Sequence, residues 1–518
     1  MSLTDTERVA RVEATRPWRF ALAATLLLTS LRLFALFATP LELYPDEAQY
    51  WLWSRDLEFG YFSKPPMIAW IIHLTTRLGD AEPFVRLASP LLHAAAGLAL
   101  FGVGRRLYGP WTGVGALLIY QLMPGVAVSS GIISTDAILL CFLSFALLAY
   151  VDLPQAKRPL FTAAGLGAAL GLAMLSKYAA LYALIGIGLH LMLDREARRP
   201  WTLRTAGAAI GVFLMVIAPN LIWNAQHGFA TVGHTAANAS LESGLKFDVV
   251  EMLRLLAEQL GVFGLPLALL VWAAILAVRR RLEPAELMLL CWTAPPILFV
   301  TLQAFLTRAN ANWTAAAYVA GAVLAAAMMR RLRPWWMLPV ALVPQAVFAG
   351  LFLVWAVYPR TAEAMGAANS FKRVKGWEAT AEAVTRRAEI EMADRGLSAI
   401  AVDDRFLFNT LAYYGRDFFA RPGAPPLTIW LRKNQPGNQA EASAPLTPAL
   451  GARVLVVSAA EVKLSEDPDR KMGPRAAMIA EDFVSARTVD VSRTRLDRKR
   501  MRRAVLILGE DYRPRPKD

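Results

Sequence analysis

Long apolar segments are the feature that most restricts what this chain can fold into. They recur along the first 357 of its 518 residues, and a helix needs about 20 apolar residues to cross the hydrocarbon core of a bilayer. We therefore predict a polytopic α-helical membrane protein with about 11–13 transmembrane helices: eleven segments are evident, and Pro65–Leu78 could form a further short or re-entrant helix. The eleven segments are 18–38, 84–104, 112–129, 133–151, 160–176, 178–193, 204–223, 258–278, 285–305, 313–329 and 335–357.

Basic residues lie on alternate connections between these segments and predict the orientation of the chain. Because positive side chains favour the cytoplasmic ends of transmembrane helices, residues 1–17 and the other arginine-rich connections are expected in the cytoplasm. This placement accounts for the net charge of +14 without a nucleic-acid partner. We expect the first apolar run to be retained as a helix, since no small-residue cleavage site follows it. The periplasmic side then receives Leu41–Pro83, Met123–Ser134, Ser176–Lys177, Asn224–Val250, Arg308–Asn312 and the chain after Pro359.

The composition changes near residue 358, where a second domain is predicted to begin. We assign 18–358 to the membrane domain, with an outer loop at 39–83, and 359–518 to a soluble periplasmic α/β domain. The only two cysteines, Cys141 and Cys291, lie in apolar segments, so the tail has no disulfide. The basic stretch Thr494–Arg503 is interpreted as a solvated hairpin in preference to an anionic-lipid contact. The tail is predicted to contain a helix at Gly376–Arg395 and strands at Ser398–Val402, Leu427–Leu431, Val454–Val457 and Ala504–Leu508.

The outer stretch Tyr44–Trp70 places acids and a lysine among aromatic residues at the membrane boundary. Asp46 and Glu47 could be hydrated boundary residues, but the flanking Tyr44 and tryptophans would bury the loop partly. Partial burial moves a carboxylate towards the range that suits a general base. Lys64 could anchor a helix end by extending to the surface, yet the Pro65–Pro66 pair that follows fixes its backbone and favours a phosphate contact.

Further charged residues occur on the other outer connections. Asp136 opens the fourth apolar segment, where helix capping alone would explain an acid, so its interpretation stays balanced between capping and catalysis. Lys177 has almost no loop around it and needs a partner, whether a phosphate, a carboxylate or water. Arg308 raises the same question in the sequence TRANANW. The predicted phosphate contacts are Lys64, Lys177 and Arg308, the predicted catalytic acids are Asp46, Glu47 and Asp136, and the predicted substrate contacts are Tyr44, Tyr61, Tyr178 and Asn312.

The histidines do not predict a metal site with any strength. His227 and His234 are seven positions apart and could share a helical face, but glycines lie between them and no third ligand is evident. We expect no obligatory cofactor and leave a divalent metal open. The unusual acids and bases all fall on the outer side, which suits a substrate with a lipid tail and a phosphate head. A leaving phosphate needs cations, and an attacking hydroxyl needs a base, for which Asp46 is the first candidate.

The apolar part of the chain and its outer loops contain a series of characteristic motifs: PDEAQYW, YFSKPPMIAW, GDAEPFVRL, RRLYG, STDAILL, PNLIWNAQHG and NANWTAAAY. Together these motifs resemble glycosyltransferase family 39, which includes protein O-mannosyltransferases and lipid A aminoarabinose transferases of the GT-C fold. The resemblance covers residues 18–357 and is strongest over 40–151. It implies inverting transfer of a sugar from a polyprenyl-phosphate donor, with Asp46 as the base, Lys64 at the donor phosphate and Asp136 as a second acidic position.

These observations predict a membrane glycosyltransferase that modifies lipid A, lipopolysaccharide or another envelope glycan. The enzyme is expected to be a monomer in the bacterial inner membrane, surrounded by membrane lipids, with its active site towards the periplasm. A protein acceptor is disfavoured because the trefoil domain of the protein-mannosylating members is missing. The alternatives are a transporter or flippase of polyprenyl-linked sugars, a protein O-mannosyltransferase, and a structural protein of envelope assembly. The predominantly Ala, Leu, Gly and Val composition of the spans disfavours a transport path.

Overall fold

The computed structural model describes residues 5–238, 244–333, 336–433 and 436–515, so residues 1–4 of the predicted cytoplasmic N-terminus lie outside the described residues. The chain divides into two compact units. The first, the membrane unit, comprises residues 1–38, 58–79 and 86–354. The second, the C-terminal unit, comprises residues 39–57, 80–85 and 355–518. The predicted outer loop 39–83 thus contributes to both units, and each unit is described by itself.

Helices build the membrane unit, and proline often occupies their first positions, where the missing N–H is not needed. Pro45, Pro110, Pro124, Pro159 and Pro284 all open helices in the chain. In chain order, the first helices are α1 (Asp5–Ala38), α2 (Pro45–Trp53), α3 (Met67–Thr75), α4 (Glu82–Arg86), α5 (Ala88–Tyr108), α6 (Pro110–Leu122), α7 (Pro124–Ser129), α8 (Thr135–Asp152), α9 (Pro159–Ser176), α10 (Leu181–Leu193), α11 (Leu203–Gln226), α12 (Ala230–Asn238), α13 (Val249–Val262), α14 (Leu267–Val278), α15 (Pro284–Leu306), α16 (Ala317–Leu332) and α17 (Met337–Val357). Of these, α2 and most of α4 belong to the C-terminal unit.

Seven helical stretches within the described ranges are long and apolar enough to cross a membrane, which confirms a multi-pass membrane protein. All eleven predicted segments contain helix. The segments that do not correspond to one of these seven stretches contain shorter helices. The segment 112–129 is divided at Met123, and 258–278 is divided between α13 and α14. Pro65–Leu78 contains the predicted short helix, α3. The seven stretches are Thr15–Ala38, Glu82–Tyr108, Thr135–Gln155, Pro159–Ser176, Leu203–Gln226, Pro284–Leu306 and Met337–Val357.

Small residues allow the membrane helices to approach closely. At Gly167 of α9, a Cβ atom would lie 2.1 Å from the carbonyl oxygen of Ala209 on α11, so only glycine fits there. Such contacts replace the hydrophobic driving force that is missing between helices in lipid. The buried core of this unit draws many of its residues from α5, α6, α8 and α16, whose inward faces are mostly alanine, leucine and valine, and α9, α10, α14 and α15 add further buried residues to it. This packing holds the outer connections on a fixed framework.

The C-terminal unit contains a five-stranded sheet in the order β2-β1-β3-β5-β4. The first three strands are parallel, and β5 runs antiparallel to both β3 and β4. The strands are β1 (Ala399–Val402), β2 (Leu427–Ile429), β3 (Arg453–Lys463), β4 (Phe483–Arg495) and β5 (Arg500–Tyr512). The helices of this part of the chain are α18 (Pro359–Ala364), α19 (Trp377–Arg395), α20 (Arg405–Tyr414), α21 (Arg416–Phe419), α22 (Gln439–Ser443) and α23 (Pro468–Ala480). In the described residues of the two units, 3-10 turns lie at 153–155, 178–180, 196–198, 311–314, 368–374 and 448–450.

The predicted α/β class of the tail is confirmed, with one strand missed. The helix predicted at Gly376–Arg395 is α19, which has Gly376 before it and Gly396 after it. The four predicted strands correspond to β1, β2, β3 and β5, but β3 and β5 are more than twice as long as the predicted Val454–Val457 and Ala504–Leu508. The sequence did not indicate β4, because this edge strand is largely exposed and polar. The basic stretch Thr494–Arg503 contains the end of β4, the turn and the start of β5, so the predicted hairpin is present. The prediction that it is solvated is wrong for Arg502 and Arg503, whose side chains are buried.

Candidate functional site

An ion pair joins two of the predicted site residues in the membrane unit. The Lys177 ammonium lies 2.7 Å from Oδ1 of Asp136, and Asn312 donates from Nδ2 to Oδ2 of the same carboxylate at 3.0 Å. The charged side chains are only 19% and 15% exposed. Both oxygens of Asp136 therefore have a donor, and the partner that the sequence required for Lys177 is a carboxylate. The structure brings together three residues that are far apart in the chain.

Local structure at each of these residues explains how the cluster forms. Ser134 is the extended residue before α8, but its hydroxyl makes no capping hydrogen bond, and Asp136 lies in the first turn. A carboxylate there also interacts favourably with the helix dipole. Lys177 leaves α9 in an extended conformation, which directs the chain into the next short turn. Asn312 lies in a 3-10 turn that Thr314 closes by donating to the Ala311 carbonyl.

Tyr178, predicted as a substrate contact, belongs to a hydrogen-bonded network with α11. Its hydroxyl donates to Oδ1 of Asn220 at 3.0 Å and accepts from Nδ2 of Asn224 at 3.3 Å. Asn220 in turn donates from Nδ2 to the carbonyl of Phe59 at 2.7 Å. These asparagines were noted only as part of the PNLIWNAQHG motif and were not predicted as site residues. Their role depends on a contact across 161 positions of the sequence, for which local spacing gave no signal.

The Lys64 segment is held by its own turn and by contacts from α11 and α12. The Tyr61 amide donates to the Lys64 carbonyl at 3.1 Å, and Thr231 donates to the Tyr61 carbonyl at 2.7 Å. Trp223 of α11 donates from Nε1 to the Glu58 carboxylate at 3.0 Å. Tyr61 is buried, whereas Lys64 is half-buried. The turn that carries the lysine is thus fixed by hydrogen bonds on both sides.

Arg308, the third predicted phosphate contact, and the two histidines also belong to the membrane unit, where each has different surroundings. Arg308 is exposed on the connection that follows α15. His227 stacks on Trp223 with ring centroids 4.1 Å apart, and His234 packs edge-on against Phe62 at 5.7 Å. Among the residues that the structure describes, no group of three His, Cys, Asp or Glu side chains is arranged to hold a metal ion.

The acidic pair of the first outer stretch lies in the C-terminal unit, at the start of α2. Tyr44 is the residue before this helix, and the Glu47 carboxylate accepts the Tyr44 amide at 2.8 Å. Glu47 is only 2% exposed. This contact is a helix cap, and it supplies a structural reason for the acid. The neighbouring Asp46 is oriented differently, with a side chain that is 37% exposed.

Arginines of the C-terminal unit approach these residues, although the sequence did not indicate them. The Arg405 guanidinium lies 3.9 Å from Oδ1 of Asp46. Arg373 donates to the Tyr44 hydroxyl and also lies over its ring, 5.8 Å from the centroid. The hydrogen bond with Tyr44 contributes most to raising the pKa of Arg373. Both arginines occur more than 300 positions after their partners, so no local pattern could pair them.

Comparison with known proteins decides the family. A family model described as dolichyl-phosphate-mannose-protein mannosyltransferase matches residues 63–223. The lipid A galacturonosyltransferase RgtD from Rhizobium johnstonii is 38% identical over 384 residues, which cover 73% of this chain and 78% of the relative. The chain belongs to glycosyltransferase family 39. The resemblance inferred from the sequence motifs is therefore confirmed, and this family 39 member is a membrane glycosyltransferase.

Solved structures extend the comparison to the whole fold of the family 39 protein. ArnT from Cupriavidus metallidurans in the apo state has a TM-score of 0.63 and 17% identity, with 95% of this chain and 98% of that chain covered. The same protein bound to undecaprenyl phosphate has a TM-score of 0.62 over the same shares of the two chains. These matches confirm the predicted GT-C fold, with a helical membrane part followed by a small sheet domain.

Proposed function

We propose that this protein transfers a sugar from a polyprenyl-phosphate donor to lipid A on the periplasmic side of the bacterial inner membrane. The observation that carries the proposal is the 38% identity with a lipid A galacturonosyltransferase over most of both chains. A galacturonosyl group is accordingly the first sugar to test. ArnT, which shares the fold, has been solved with undecaprenyl phosphate bound, and this supports a donor of the same chemical class.

The geometry of the membrane unit supports binding of a phosphate. Lys177 is held at the end of α9 by Asp136, and Asn312 completes the contacts of that carboxylate. An ammonium at the edge of the hydrocarbon region can form charge-assisted hydrogen bonds with a phosphate oxygen. We assign donor-phosphate contacts to Lys64, Lys177 and Arg308. In this assignment Asp136 acts through Lys177, and its role is to orient the cation.

The proposed reaction is an inverting displacement at the anomeric carbon of the donor. An acceptor hydroxyl attacks this carbon, a new C–O bond forms, and the bond to the phosphate oxygen breaks as polyprenyl phosphate leaves. Asp46 accepts the hydroxyl proton, because an exposed carboxylate can reach an acceptor. The cationic side chains stabilise the negative charge that develops on the leaving phosphate. Tyr44, Tyr61, Tyr178 and Asn312 remain proposed substrate contacts, and Glu47 supports the helix that carries Asp46.

The decisive experiment compares lipid A by mass spectrometry from cells with and without the gene. Loss of one hexuronic acid residue from lipid A in the deletion strain is expected, and complementation should restore it. Purified protein in proteoliposomes should then transfer labelled sugar from polyprenyl phosphate to lipid A. Asp46→Asn and Lys64→Ala variants should be inactive, whereas full activity in both would remove the assigned mechanism. A cytoplasmic-side variant, Asp152→Asn, serves as the matched control, since its carboxylate pairs with Arg106 at 2.7 Å.

Other outcomes of the same experiments would identify a different function. Unchanged lipid A with loss of mannose from periplasmic proteins would favour the activity for which the matched family model is named. Movement of labelled lipid across the bilayer without product would favour a flippase. We propose a monomer that needs no obligatory cofactor. Activity that chelation abolishes, and that a divalent cation restores, would contradict the second part of this statement.

A further inference from the structure

Within the C-terminal unit, α2 packs on α20. Trp51 of α2 contacts Tyr413 of α20 edge-to-face, with ring centroids 4.9 Å apart. Just before α2, the Leu43 amide donates to the Tyr414 hydroxyl at 2.7 Å. Leu52 lies against the hydrophobic core that includes Leu407 and Leu411. The backbone that carries Asp46 is therefore positioned by α20, which belongs to the C-terminal sheet domain.

Additional contacts fix the chain immediately before α2. The Glu42 amide donates to the Val374 carbonyl at 3.0 Å, and the Trp377 amide donates to the Glu42 carboxylate. Burial raises the pKa of Glu42, and the amides of Trp377 and Gly376 partly offset that rise. Contacts on both sides of Pro45 leave little freedom for the first turn of α2. Side-chain contacts can therefore set the direction of the Asp46 carboxylate.

Arg405 is placed to make such a contact. It is the first residue of α20, and the Asp404 side chain before it accepts the amides of Phe406 and Leu407 at 2.8 and 3.4 Å. The guanidinium lies over the Phe406 ring, 4.7 Å from its centroid. From this position it is 3.9 Å from the Asp46 carboxylate and 3.5 Å from Oε1 of Gln49. One cation thus faces two side chains on the same surface of α2.

We propose that Arg405 is a positioning residue for Asp46, so that the C-terminal unit takes part in sugar transfer. This inference rests on the proposed role of Asp46 as the base. Because the pair is one-third exposed on each side, its attraction alone adds little to stability. Its effect is on orientation, since small displacements of a reacting group cost up to about 100-fold in rate. Arg405 acts through the carboxylate and need not contact the substrate.

The test compares Arg405→Gln and Arg405→Lys in proteoliposome transfer assays, with Arg421→Gln as the control. Arg421 pairs with Glu389 at 2.6 Å on the exposed surface of the same unit. Arg405→Gln should lower kcat about tenfold with the donor KM within about twofold of the parent, and Arg405→Lys should recover part of the loss. Arg421→Gln should match the parent.

Contrary outcomes separate this inference from the proposed function. Parent-like kcat in Arg405→Gln, or a change confined to KM, would overturn the positioning role. Loss of monodisperse protein in both Arg405 variants would assign the residue to stability and would also overturn it. Full activity in Asp46→Asn would instead overturn the assignment of the base. An inactive Asp46→Asn with a fully active Arg405→Gln would leave the proposed function intact and remove only the present inference.

Discussion

The Asp136–Lys177 pair permits a double-mutant test of whether the acid acts through the lysine. At 2.7 Å and an effective dielectric constant of about 20, the gross attraction of the pair is about 6 kcal/mol. Desolvation offsets part of this, because the side chains are only 19% and 15% exposed. A charge-assisted contact from Lys177 to the donor phosphate should contribute about 2 kcal/mol to transfer, which corresponds to about 30-fold in kcat/KM.

The expected pattern follows from these magnitudes. Lys177→Met should lower kcat/KM about 30-fold, and Asp136→Asn should lower it about tenfold, because the amide keeps the shape but not the charge. If Asp136 serves only to orient Lys177, the double variant should also lose about 30-fold, since the acid has nothing left to orient. Sugar transfer from the polyprenyl-phosphate donor in proteoliposomes measures all three.

The same assay provides a control variant and a result that would refute the orienting role of Asp136. Asp152→Asn removes an acid from a pair with the same 2.7 Å separation outside the proposed site, so its kcat/KM should stay within about twofold of the parent. Independent losses would multiply to about 300-fold in the double variant. That result would show that Asp136 contributes to transfer by a route that does not pass through Lys177, and it would refute the reasoning.

Three further predictions follow from contacts in the two units. Asp46→Asn should abolish transfer, whereas Glu47→Gln should keep most activity, because an amide oxygen can still cap α2; transfer assays of the two variants distinguish base from cap. Asn220→Ala should raise the donor KM about tenfold, because it removes the donor to the loop carbonyl; steady-state kinetics measure this. Burial raises the pKa of Asp403 to about 6 from 3.8, so the folded state holds a proton that the unfolded chain releases. Stability should therefore fall as pH rises through this interval, and Asp403→Asn should flatten the dependence of Tm on pH.

Much of the fold follows from properties that act locally along the chain. Spanning segments are indicated by length and apolarity, and proline at the first helical turn marks several of their starts. The break between α13 and α14 also had a local signal in Gly264, which has φ +84 and is too close to Gln345 to accept a side chain. In contrast, β4 lies at a sheet edge with a mostly exposed surface, so its pattern resembles a polar loop.

The candidate site was only partly predictable, because its contacts connect distant positions. The sequence required a partner for Lys177 but could not choose among a phosphate, a carboxylate and water; Asp136, 41 positions earlier, is that partner. Asn220 was recognised as part of the PNLIWNAQHG motif, but its hydrogen bond with the Phe59 carbonyl could not be predicted from the sequence. The capping role of Glu47 was a local signal that was missed, since a capping contact joins positions three apart.

Accessibility distinguishes the three acids that the sequence grouped as catalytic. A general base must contact the acceptor hydroxyl, so at least part of its carboxylate must be reachable from solvent. Glu47 is 2% exposed and accepts a backbone amide, and Asp136 is 15% exposed with a donor on each oxygen. Asp46 is 37% exposed. Because burial suits an acid that orients or caps, while exposure suits one that reacts, the structure supports assigning proton transfer to Asp46 and supporting roles to the other two.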